Sequence, residues 1–206
     1  MSKGELTRQR IIAEAAPIFN RRGYEGCSMQ DILDATGLEK GGVYRHFGSK
    51  EELAVEAFRY ALSNSMKMRT DNLENIHGAI EKLSHFVHRF VEVPSTVPGG
   101  CPLMNTAIDA DDGNPVLRRL ARDGIKDWKA RLCRIVMDGI EGGEIRENVE
   151  PRRIANTLIA TLEGALMISR IEGNRYALED ARTSLEILLR DIEVPEAKAQ
   201  TPAWRG

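Results

Sequence analysis

Apolar residues recur at intervals of three and four along almost the whole chain, whereas the strict alternation of a half-buried strand never persists beyond a few residues. This periodicity is the tightest constraint on the fold, because a stripe at 3.6-residue spacing stays on one face of a helix and scatters over both faces of a sheet. An all-α fold follows. With 206 residues and 42% hydrophobic content, the chain has enough apolar material for one large domain or two small ones.

Punctuation divides the stripes. Thr7 is the expected cap of a first helix that buries Ile11, Ile12, Ala15, Ala16 and Phe19 and closes at Gly23 after Arg21 and Arg22. Pro17 inside it predicts a kink near Ala13 or a bend, since an interior proline loses a backbone bond and costs about 3 kcal/mol. Ser28 with Asp31 opens a short second helix ending at Gly37, a third spans about 40–47, and Ser49 with Glu52 forms a capping box for a long fourth helix over about 50–71. Longer helices follow, with apolar faces running through Ile76, Ile80, Leu83, Val87 and Phe90, then through Val116, Leu117, Leu120, Trp128, Leu132 and Val136. Asn114 and Pro115 start the second of these as cap and first helical residue. Two further helices are expected at about 151–172 and 176–192, and residues 193–206 read as a disordered tail.

The stretch "GLEKGGVYRHFGSKEEL" (residues 37–53) holds three glycines and a lysine within six residues. A phosphate loop of the G-x-x-x-x-G-K-[ST] type needs a preceding strand and a lysine after the second glycine, and here the upstream segment is helical and Lys40 precedes Gly41. A plain surface turn would not explain two glycines inside a helix, where each costs about 1 kcal/mol relative to alanine. Two short helices joined by a tight glycine turn are the requirement of a helix-turn-helix, whose second helix must enter the major groove. Val43 and Phe47, four apart, face inward, and Glu39, Lys40, Gly42 and Arg45 face outward. Small side chains let the backbone approach the bases, Tyr44 and His46 can donate to phosphates, and Lys50 adds charge at the amino end of the fourth helix.

Together, "SMQDILDATGLEKGGVYRHFGSKEEL" resembles the DNA-binding half of the tetracycline-repressor (TetR/AcrR) family of transcriptional regulators, over about residues 7–53. The resemblance implies that Tyr44, His46 and Lys50 hold the DNA backbone, that Phe47 is core, and that Lys40, Gly41, Gly42 and Arg45 lie nearest the bases. Arg45 stands where such proteins often carry an aromatic residue. The resemblance also implies an architecture: an N-terminal three-helix DNA-binding domain (1–53) followed by a larger helical domain for ligand binding and dimerisation (72–192).

Physically, a ligand pocket between helices is largely apolar with a few polar groups. Phe86, Phe90, Met104, Ile108, Trp128 and Leu132 are the candidate lining, with plain core packing as the competing reading. Residues 151–192 are the expected dimer surface, where Gly164 and Ala165 beside Leu158, Leu162 and Leu166 permit close approach of helices.

The charge distribution fits a polyanion partner at one end. Residues 1–50 carry eight basic against six acidic residues in a chain of net charge -2. Cys27, Cys101 and Cys133 are odd in number and widely spaced, which indicates neither a disulfide framework nor a zinc cluster, and Cys101 reads as a free thiol. His77, His85 and His88 do not supply a four-ligand set, and Asp111 and Asp112 sit in a turn where solvation explains them. The charged start and the absence of a long uninterrupted apolar run predict a soluble, cytoplasmic protein without a membrane segment. The expected function is a ligand-responsive, homodimeric repressor released from an inverted-repeat DNA operator by a small molecule, with no catalytic residues, metal or cofactor. The alternative is an all-helical metal-binding protein or enzyme using the larger half.

Overall fold

The computed structural model describes residues 2–195, which form nine α-helices with no strand among them. The helices are α1 (Lys3–Arg22), α2 (Met29–Thr36), α3 (Lys40–Tyr44), α4 (Lys50–Arg69), α5 (Ala79–Glu92), α6 (Pro102–Asp109), α7 (Pro115–Glu141), α8 (Pro151–Glu172) and α9 (Tyr176–Ile192).

Local chemistry explains most of their limits. Ser28 accepts the Asp31 amide while the Asp31 carboxylate accepts the Ser28 amide, a complete capping box at α2. Gly37 ends that helix in the left-handed region (φ 63°), and its amide donates to the Leu33 carbonyl. Ser49 caps α4 by accepting the Glu52 amide, but Glu52 reaches one residue further back, to the Gly48 amide at 2.7 Å. Asn114 and Glu150 cap α7 and α8, each followed by proline in the first turn, where its missing N–H is harmless.

Three sequence-based expectations need correction. The first helix starts at Lys3 with Ser2 as its cap, and the Thr7 hydroxyl instead donates to the Lys3 carbonyl at 3.0 Å. Pro17 lies inside α1, which continues past it to Arg22 and closes at Gly23 as expected. Ile76 lies outside α5, because Asn72 (φ 62°) turns the chain into a single 3-10 turn at Leu73–Asn75 and Gly78 caps the helix. Order continues past residue 192: the Val194 amide donates to the Glu144 carbonyl at 2.8 Å and Glu193 bridges Ile145, while the rest of the expected tail (196–206) lies outside the described residues.

Two apolar clusters organise the packing. α1 packs on α2 and α4, with Ile11, Ile12, Ala15, Ile32, Val43, Phe47, Leu53 and Ala57 at its core and Val97 reaching in from the larger half. The larger cluster runs through α5, α7, α8 and α9, from Leu83 and Phe86 through Leu132 and Val136 to Leu158, Leu162, Leu185 and Leu189. α4 contributes to both, since Ala57 and Ala61 face the first and Phe58 the second. At the far end of the larger cluster, the Glu144 carboxylate accepts the amides of Ala79 and Ile80, so one residue joins the start of α5, the α7–α8 connection and the end of α9.

Candidate nucleic-acid interface and effector cavity

α2, the Gly37 turn and α3 make a helix-turn-helix whose second helix is only five residues long, shorter than the 40–47 span expected from sequence. After Tyr44 the chain continues in tight turns, with the His46 and Phe47 amides both donating to the Val43 carbonyl at 2.9 and 3.2 Å. Val43 and Phe47 are fully buried among α1 and α4, and the Arg8 guanidinium covers the Phe47 ring 4.9 Å from its centroid. These two anchors fix which side of α3 faces outward.

That side carries the residues singled out from the sequence. Lys40, Gly41, Tyr44 and Arg45 are exposed, while Gly42, His46 and Lys50 are half-buried. Lys40 Nζ sits 5.7 Å from the Tyr44 ring centroid. Among the described residues, no carboxylate lies within 4.0 Å of Lys40, Arg45 or Lys50, which leaves three cations on this end available to an anion. A Cβ at Gly41 would meet nothing within 4 Å and one at Gly42 only the Leu38 side chain, so packing within the chain does not demand glycine at either place. An external surface that comes close to the helix would demand it.

Lys50 is placed by a residue the sequence reading missed. Its ammonium lies 4.2 Å from the centroid of the Tyr24 ring, which itself stacks on Phe19. Only the basic residue's nearness to a helix start was visible in the sequence, and Tyr24 is 26 positions away.

α2 is also held by charge. Asp31 accepts from the Ser28 hydroxyl and amide and is paired with Arg22, and these bonds hold its carboxyl down at about 2, against an ordinary value near 3.8. A carboxyl depressed in the folded state contributes stability at pH values above its unfolded value, and that contribution is lost as pH falls through the folded one. Acid unfolding of the wild type should therefore show a loss of urea resistance between pH ~4 and ~2 that Asp31→Asn lacks. Circular dichroism during urea titration measures it.

In the larger half, a cavity of about 330 Å³ opens between α6, α7 and α8, walled by Leu103, Met104, Ala121, Ile125 and Trp128. Arg118, Arg122 and Asp111 also line it, and Glu163 reaches its wall from α8. The Trp128 indole N–H and both Glu163 carboxylate oxygens are buried without a hydrogen-bond partner. Burial raises the Glu163 carboxyl above the ordinary carboxylate range, against weaker opposing effects of Cys101 and Arg69.

The six candidate lining residues divide. Met104 and Trp128 line this cavity. Phe90 stacks on Trp128 at 6.2 Å but lines a different one. Phe86 and Leu132 are plain core, and Ile108 is 70% exposed on the outer side of α6.

α6 has two working sides. Opposite the cavity, the Asn105 amide donates to the Asn20 and Gly99 carbonyls at 2.9 and 2.8 Å, and Asp109 accepts the Tyr24 amide at 2.8 Å. Gly23 (φ 74°) must be glycine here, since a Cβ would fall 2.2 Å from the Asp109 carboxylate. Nearby, the Asn114 amide donates to Glu51 of α4 at 2.6 Å. The helix that walls the cavity is thus bonded to the segment that positions Lys50.

Burial raises all three thiols above their ordinary value. Burial, with Glu163 beside it, pushes Cys101 up to about 12, and Cys27 is raised by burial as well. His85 Nε2 lies 2.8 Å from the Asp71 carbonyl, and among the described residues no three His, Cys, Asp or Glu side chains gather as a metal site. α8 is long and apolar enough to cross a membrane by length and composition, with part of its surface buried against α7 and α9.

Comparison with known proteins agrees over both halves. Residues 11–57 match the family model described as bacterial regulatory proteins, tetR family, and residues 79–185 match the tetracyclin repressor-like, C-terminal domain. The chain is 28% identical over 188 residues to the HTH-type transcriptional repressor DhaR of Mycobacterium sp. (strain GP1), covering 90% of this chain and 94% of that one. A TetR transcriptional regulator from Chloroflexus aurantiacus J-10-FL superposes with a TM-score of 0.89 at 42% identity, covering 94% of this chain and 98% of that one. A TetR-family regulator from Cytophaga hutchinsonii gives 0.88 at 36%, covering 95% and 99%. With a helix-turn-helix that leaves its cations outward and a second, cavity-bearing helical half, the chain belongs to the TetR family of transcriptional regulators.

Proposed function

We propose that the protein is a cytoplasmic, homodimeric repressor that leaves an inverted-repeat operator when a small molecule enters its larger half. The observation that carries this reading is the double engagement of α6, with cavity-lining Met104 on one side and the Asn105 and Asp109 bonds to α1 and Tyr24 on the other. An occupant that shifts α6 strains those bonds, and a ligand and a DNA site preferring different arrangements weaken each other's binding reciprocally.

Dimerisation has its own support. Met167, Ile168 and Ile171 form an exposed apolar stripe on α8 with Gly164, whose missing side chain leaves open space, and Ile187 adds to it from α9. Such a stripe suits a second copy of the same surface in a four-helix bundle.

At the operator, Lys40, Gly41, Gly42 and Arg45 approach the bases, and Tyr44, His46 and Lys50 hold phosphates. Mobility shifts with the DNA flanking the protein's own gene test this. For a dimer contacting six to ten phosphates, raising salt from ~50 to ~200 mM should weaken binding by about 10³–10⁵-fold. Arg45→Ala should cost about 1–3 kcal/mol and change sequence preference, whereas Tyr44→Phe should weaken all sequences alike. Binding that ignores salt would remove the basis of the proposal.

A further inference from the structure

A second cavity, of about 370 Å³, lies between the end of α4, the carboxyl-terminal part of α5, residues 93–100 and α8. Its charge is one-sided. Arg69, Arg170 and Arg175 line it, and no acidic residue does. Arg175 is already engaged by Glu92 at 3.6 Å and by the Val91 carbonyl. The other two are not paired: among the described residues no carboxylate lies within 4.0 Å of Arg69 or Arg170.

Arg69 is the less expected of the pair, because it is 8% exposed. Its guanidinium lies 4.3 Å over the Phe90 ring and donates to Ser65, while Nε has no partner. An arginine cannot escape burial by losing its proton, so an uncompensated guanidinium costs several kcal/mol unless an anion accompanies it. Glu163 feels the charge of Arg69 but lies beyond 4.0 Å from it and lines the other cavity, so it does not pair directly with the guanidinium. Ser169, 6% exposed and also lining the cavity, holds a hydroxyl with no partner. The Arg170 guanidinium lies close over Gly100 (φ 94°), where a Cβ would fall 2.4 Å from it, so the backbone leaves room for the arginine there. The remaining wall is largely apolar, formed in part by Phe90, Leu166 and Leu178.

We infer that this cavity binds a small organic carboxylate, received by Arg69, Ser169 and Arg170, with its apolar body against Phe90, Leu166 and Leu178. A carboxylate matches the planar donors of guanidinium groups and accepts from a hydroxyl at the same time, and the apolar wall selects against a bare inorganic anion. The position has a regulatory consequence. Arg69 is the last residue of α4, and the first residue of that helix is Lys50, on the DNA-facing end. This deepens the reading of the larger half as the ligand-sensing part and rests on it for the effect on DNA.

Benzoate, neutral benzamide and inorganic phosphate, titrated calorimetrically into the full chain, test the site. Benzoate should bind, benzamide should bind at least tenfold more weakly, and Arg170→Gln and Ser169→Ala should each weaken benzoate about tenfold or more. Arg170 is at the surface, so its replacement leaves the core intact, whereas Arg69→Gln risks the fold and serves only as a supplementary variant. Absence of benzoate binding at ~10 mM, equal binding of benzamide, phosphate as tight as benzoate, or indifference to both substitutions would each overturn the inference. Mobility shifts in the presence of benzoate separate the two readings. Release of DNA supports both, and calorimetric binding without release upholds the site while defeating only the part of this cavity in control of DNA.

Discussion

Phe47→Ala should unfold the DNA-binding half well before the remainder and abolish operator binding at concentrations where the wild type is saturated. Phe47 is 1% exposed, packs with Val43, Ile32 and Leu53, and carries the Arg8 guanidinium on its face. Truncating a buried phenylalanine costs about 3–5 kcal/mol, through lost transfer energy and the cavity left behind. A five-residue helix has almost no stability of its own, so α3 depends on this anchor for its orientation. Urea unfolding read by circular dichroism should show a separate early transition, and mobility shifts should show the loss of binding. Tyr44→Phe, which alters an exposed side chain, should leave the unfolding midpoint in place. An unchanged midpoint in Phe47→Ala would mean that α3 is held by something other than its buried face.

If the proposed dimer forms through α8, Ile171→Glu should leave the chain monomeric and with it lower operator affinity by several orders of magnitude. Ile171 is 78% exposed in the single chain, one helical turn beyond Met167 and Ile168. In a twofold-symmetric interface every substitution occurs twice, and each carboxylate would be buried facing an apolar surface or its own copy. A loss of about 2 kcal/mol at each of two central positions weakens association by roughly 10³-fold. Sedimentation measures the mass, and the same samples in mobility shifts report the consequence for DNA. A variant that remains dimeric would place the interface elsewhere.

The sequence made some elements legible and hid others for identifiable reasons. α2 and α8 were readable because their ends carry chemistry that acts within four residues, as with Ser28 and Asp31, Gly37, Pro151 and Gly173. Thr7 misled because a threonine can accept at a cap or donate to the carbonyl four residues back, and here it does the second. α3 is short because two glycines weaken it, and turns complete the path to Phe47. The outward cations were visible from the spacing of Val43 and Phe47 alone. The cavities were not, since a stripe such as Phe86, Phe90, Trp128 and Leu132 looks the same whether it faces a void or another helix. Arg69, Glu163 and Ser169 had no signal at all: residues separated by about a hundred positions come together only because α5 packs on both α4 and α8.

Glu144 has a mechanical consequence. By tying α5, the α7–α8 connection and the end of α9 at one place, it makes that end of the molecule a fixed pivot. α7 runs from there for 27 residues, about 40 Å, to Asn114 and its bond with Glu51. Over such an arm a tilt of about 5° sweeps the far end through roughly 3 Å, close to the rise of one base pair. A displacement too small to disturb the core is therefore large enough, in the proposed dimer, to put paired recognition helices out of step with successive grooves.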